Sequence, residues 1–83
     1  MSEKLKFPVT AHYRIIVHSA EKDLETTQRL FEGFDLVEPV RDMRASSGGR
    51  YASFSVSVRF GGRDEMSRFD AQLKFVPGLK MVL

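Results

Sequence analysis

The chain has 83 residues, no cysteine and a formal net charge of +2, with 42% hydrophobic and 29% charged residues. That length holds one domain, residues 1–83, whose core sits near the lower limit for an unaided fold. Without cysteine there is no disulfide, thiolate metal site or cysteine nucleophile, and a reducing, cytoplasmic setting is the expectation.

Met1 to Pro8 read as a short polar lead without the apolar centre of a signal peptide. Pro8 discourages helix at Phe7. Thr10 to His18 alternate as a first strand, with Tyr13, Ile15 and Val17 on one face and His12, Arg14, Ile16 and His18 on the other. Ser19 is placed to cap a helix from Ala20 to about Glu32, whose Leu24, Thr27, Phe31 and Phe34 form one stripe. Gly33 ends it.

Leu36 to Ala45 read as a second strand. Pro39 assigns it to a sheet edge, because proline has no N–H for a ladder. Gly48-Gly49 mark a hairpin turn into the most regular strand of the chain, Tyr51 to Phe60. A tight turn there sets Ala45 opposite Ala52, Met43 opposite Phe54, Pro39 opposite Val58 and Val37 opposite Phe60, all inward. It also sets Arg44 against Ser53 and Glu38 against Arg59, and turns Val40 outward. Arg41, opposite Val56, is the one misfit. Asp64 is placed to cap a second helix to about Phe75, with Met66, Phe69, Leu73 and Val76 as its stripe. Pro77-Gly78 turn into a last strand, Leu79 to Leu83.

Strand, helix, strand, strand, helix, strand specifies an α+β fold. Two interleaved βαβ units give a ferredoxin-like sandwich, a four-stranded antiparallel sheet with both helices on one face. The first and third strands are then central.

Ser46-Ser47-Gly48-Gly49-Arg50-Tyr51 and the strand after it resemble the hairpin of the YbeD-like family of small uncharacterised bacterial proteins. Val76-Pro77-Gly78-Leu79-Lys80-Met81-Val82-Leu83 is similar to that family's ending, and Phe7-Pro8 with Tyr13 to its start. The resemblance implies a fold close to the ACT regulatory domains, which bind small ligands and often pair through their sheets. It implies no activity and no catalytic residue. ACT domains commonly carry glycine after their first strand, where this chain has His18-Ser19-Ala20.

No residue pattern points to catalysis. There is no HExxH and no P-loop, so no enzyme activity, cofactor or metal is expected. His12 and His18 share a strand face about 20 Å apart at strand spacing, too far to hold one ion. Gly48-Gly49-Arg50 and Gly61-Gly62-Arg63 look alike, but they lie at opposite ends of one strand, and turn geometry explains each. If one end holds a small anionic ligand, topology selects the hairpin end. Ser46, Ser47, Arg50, His18 and Ser19 converge there.

The open sheet face is the other candidate. His12, Arg14, Ile16, Tyr51, Ser53, Ser55, Ser57 and Arg59 make a hydroxyl-rich interaction surface for an unknown protein partner or for self-association through the sheet. RNA readers stack bases on exposed aromatics of such a face. Here Ser53 stands where the second aromatic is needed, and strand one offers none outward, so nucleic acid is not expected. Nor is a membrane, since no apolar run reaches the length of a span. The expected role is a small regulatory or interaction module acting through its open face or an edge strand. The alternative is a sensor of an anionic metabolite at the hairpin end.

Overall fold

Strand β1 (Val9–His18) lies beside the ten-residue strand β4 (Tyr51–Phe60), antiparallel along its whole length, from Val9 opposite Phe60 to His18 opposite Tyr51. This pair is the centre of the computed structural model, which describes residues 6–46 and 48–83. Alternation does the sorting. On β4 Ala52, Phe54, Val56, Val58 and Phe60 are buried, and on β1 Ile15 and Val17 are fully so. Each such valine, isoleucine or phenylalanine contributes about 1.5–3 kcal/mol by leaving water.

The elements between and beyond are a 3-10 turn (Ser19–Glu21), helix α1 (Leu24–Leu30), strands β2 (Asp35–Glu38) and β3 (Arg44–Ala45), helix α2 (Arg63–Leu73) and strand β5 (Leu79–Val82). The sheet order is β2-β4-β1-β5, with β3 also pairing β4, so β2 and β3 together fill one edge position. Every pairing is antiparallel. Phe69 of α2 is fully buried and joins the layers. Its ring lies 5.1 Å from Tyr13 of β1, 5.7 Å from Phe60 of β4, 4.8 Å from Phe31 and 5.1 Å from Phe34 after α1. Both helices therefore cover the same sheet face. The ferredoxin-like α+β sandwich is as expected.

Three local expectations are corrected. The first is the start of α1. Ser19 does not cap it; Asp23 does, its carboxylate accepting from Thr26 N at 3.0 Å. The chain leaving β1 is tied first to its neighbours, with His18 N donating to Gly78 O (2.8 Å) and Ser19 N to Arg50 O (3.0 Å). After the 3-10 turn at Ser19–Glu21 the α-helix starts past these ties, and the carboxylate of Asp23 is there to receive a free N–H of its first turn. Likewise α2 is capped at Gly62, not Asp64, and Glu65 reaches back to accept from Gly61 N.

The second correction is the edge register. Ala45 does face Ala52, and Arg44 does face Ser53. Beyond the intervening residues 39–43 the register slips. Glu38 faces Ser57, and Asp35 faces Arg59. The proline cannot continue the ladder, so the segment leaves the sheet plane. Once out of register, Val40 turns inward to 3% exposure, and its carbonyl accepts from Gln28 Nε2 of α1 at 2.9 Å. Val37, expected inside, is 54% exposed, and Pro39 is exposed as well.

The third concerns the hairpin. Gly48 and Gly49 both take positive φ, 90° and 74°, as a glycine turn requires. Ser46 N donates to Tyr51 O at 2.7 Å and Gly49 N returns to Ser46 O at 2.8 Å, so Ser46–Tyr51 closes the loop. The turn hydrogen bond thus runs from Ser46 to Gly49, one position before the Gly48-Gly49 turn expected, and the strand register is unchanged.

Candidate functional site on the open sheet face

With the helices on one side, the outward row of β1 and β4 stands uncovered. The register brings its members together in pairs: His12 with Ser57, Arg14 with Ser55, Ile16 with Ser53 and His18 with Tyr51. Arg59 completes the row opposite Thr10. The residues assigned to this face from the sequence are therefore on one surface, except Val40, which is buried on the other side.

Its most ordered part is a chain of side chains across three strands. His12 Nδ1 lies 2.6 Å from Ser57 Oγ, and Ser57 Oγ donates to Glu38 Oε1 at 3.3 Å. When the serine proton goes to Glu38, the serine oxygen accepts from the Nδ1–H tautomer of His12. Serine sits in the middle of this chain and is only 2% exposed. A serine nucleophile needs the opposite order, with imidazole between hydroxyl and acid. The arrangement ties β1, β4 and β2 together.

Two hollows flank this lock. One has a volume of about 350 Å³ and opens where β2 and β3 separate, lined by Arg14, Arg41 and Arg44 over Ser53 and Ser55, with Glu38 and Asp42 on its wall. The other, about 270 Å³, is lined by Ile16, Tyr51 and Met81, with Lys80 beside them. Arg14 and Ser53 belong to both, so the hollows are contiguous. Lys80 Nζ lies 5.5 Å from the Tyr51 ring centre, in cation–π range. Among the described residues the only ion pair joins Arg29 to Glu25 at 2.9 Å, on α1. The open-face cations Arg14, Arg41, Arg44, Arg59 and Lys80 are thus outside any ion pair, and they outnumber Asp35, Glu38 and Asp42.

The hairpin end also comes together as topology requires. The His18 and Tyr51 rings lie 5.2 Å apart, tilted by 47°, and the Arg50 carbonyl holds Ser19 N. Ser46 is engaged in the turn, its Oγ accepting from Tyr51 N at 3.3 Å. Arg50 is exposed, and Ser19 Oγ is buried without a hydrogen-bond partner. Ser47, expected in this site, lies outside the described residues. Among the described residues no group of three His, Asp or Glu side chains is placed to hold a metal.

Sequence reasoning missed Glu38, Arg41, Asp42 and Arg44 as members of the site. The signal was present. Arg41 was the one residue that did not fit the assumed register, and a single misfit beside a proline marks a break in pairing.

These features define an α+β fold of the ferredoxin-like class, close to that of ACT domains. The ACT domain from the GTP pyrophosphokinase of Chlorobium tepidum matches with a TM-score of 0.60 at 16% identity, over 89% of this chain and 94% of that one. Protein HP0495 from H. pylori matches with a TM-score of 0.69 at 20% identity, over 99% of this chain and 88% of that one. The chain belongs to the family described as "protein of unknown function (DUF493)", whose match spans residues 2–83. The YbeD-like resemblance of the hairpin and the final strand is thus shown. No curated protein matches the chain in sequence.

Proposed function

We propose that this protein is a small regulatory module that works by binding and not by catalysis, and that its contact surface is the open sheet face. The observation that carries this reading is the uncovered β1–β4 row, rich in hydroxyls and arginines and, among the described residues, outside any ion pair. Its excess of cations suits an acidic protein surface as partner. The ACT-like fold supports a regulatory role, and the inverted order of His12, Ser57 and Glu38 supports binding over chemistry. Photo-crosslinking in the native cell tests it, with the reactive group at Ser55 on the open face or at Arg68 on the helix face. Adducts from position 55 and not from 68 are expected. Adducts from 68 alone, or none from 55, refute the reading.

A second reading places a small anion at the hairpin end. The orphaned Ser19 hydroxyl and the exposed Arg50 favour it. Amide shifts of Ser19 and Arg50 on titration with carboxylate metabolites, abolished in Arg50→Ala, would select it.

A further inference from the structure

The geometry points to a binding site for a phosphate monoester with an apolar or aromatic body, seated across the two hollows of the open face. The charged half comes from three separate segments. Arg14 stands on β1 opposite Ser55, Arg44 on β3 opposite Ser53, and Arg41 in the segment between β2 and β3. β1 and β3 lie on either side of β4, and Arg14 and Arg44 are also offset by two residues along it, which puts their backbones about 12 Å apart. Between them the floor is Ser53 and Ser55, whose small side chains leave the space open. Among the described residues none of the three arginines is in an ion pair.

A single carboxylate is matched by one guanidinium fork. Three forks converging on one hollow match a group with more charge and more oxygens, which is a phosphoryl group. Two carboxylates also line the hollow. Glu38 accepts from Ser57 through Oε1 alone, so both it and Asp42 remain acceptors for a ligand hydroxyl. The apolar half follows from contiguity. Arg14 and Ser53 are shared with the hollow of Ile16, Tyr51 and Met81, so a body attached to the phosphoryl group enters that hollow directly. Met81 is 42% exposed, and covering it removes apolar surface from water. Such a site needs no protein partner, and its occupancy is measurable on the isolated chain.

The test is an amide NMR titration at constant ionic strength with phenyl phosphate and with inorganic phosphate. Saturable shifts at Arg14, Arg41, Arg44 and Ser53 are expected with both. Phenyl phosphate should also shift Tyr51 and Met81 and bind about fivefold tighter or more. Arg41→Ala, an exposed position whose change leaves the core intact, should weaken binding about tenfold, while Arg68→Ala on the helix face changes nothing. The proposal is overturned by linear, unsaturable shifts, by equal affinity for the two phosphates, or by equal losses in Arg41→Ala and Arg68→Ala. Shifts confined to Ser19 and Arg50 would overturn it in favour of the hairpin end.

Discussion

Val40 and Val37 are three residues apart on the same edge, and the structure gives them opposite fates: 3% exposed against 54% exposed. A regular hairpin register would assign them the other way round. Truncating each to alanine therefore tests the slipped register that opens the arginine hollow. Val40→Ala removes two carbons from a packed site, about 1.6 kcal/mol of transfer free energy at ~0.8 per methylene. The cavity left behind raises the loss to about 2 kcal/mol or slightly more. For a domain of this size that lowers the melting temperature by about 8–16 °C. Val37→Ala should stay within about 0.5 kcal/mol of wild type. Urea and thermal unfolding followed by circular dichroism measure both. A loss for Val37→Ala equal to or above that of Val40→Ala would refute the register and, with it, the shape of the hollow.

Other outcomes follow from single features. Gly78 has φ +72°, and a Cβ there would stand 2.9 Å from Glu21 Cβ and 3.2 Å from His18 O. At Gly48, φ +90°, a Cβ meets nothing within 4 Å. Gly48→Ala should cost about 1–2 kcal/mol of backbone strain, and Gly78→Ala about 1 kcal/mol or more beyond that; equal losses in urea unfolding would contradict the collision. The Thr26 N–H, helped by the Thr26 hydroxyl, holds the Asp23 carboxyl below its ordinary 3.8. A depressed carboxyl stabilises the fold above its unfolded value, and that contribution disappears as pH falls through the lower folded value. Asp23→Ala should therefore melt lower than wild type at neutral pH, with the gap closing only below pH 3.8; a gap independent of pH would count against the cap. Ser57→Ala breaks the chain from His12 to Glu38 and should cost about 1 kcal/mol, whereas Ser55→Ala, on the same face with no such bond, should stay within about 0.5 kcal/mol.

The layers of this fold were legible because periodicity reports burial. The alternation of Tyr51 to Phe60 and the stripe of Met66, Phe69, Leu73 and Val76 each place their residues correctly. Pro39 identified the edge for the same kind of reason, a missing donor. What was not legible depended on contacts distant in sequence. Ser19 looks like a cap until Arg50 and Gly78 are seen to hold the backbone around it. Val40 looks outward until Gln28 of α1 is seen to hold its carbonyl. The open-face row followed directly from the strand pattern, but its arginine hollow exists only because the edge slips, and a register argument that assumes regular pairing cannot foresee it.

The measurement closest to the central claim is the affinity of the partner captured through position 55, determined against salt for wild type and for Arg14→Glu combined with Arg59→Glu. Both arginines are exposed on the open face, so the fold should survive the exchange, as the amide spectrum will show. Wild-type affinity is expected to fall with salt, and the double variant to lose binding at every salt concentration. A partner held equally well by the folded double variant, without salt dependence, would contradict the open face as the working surface.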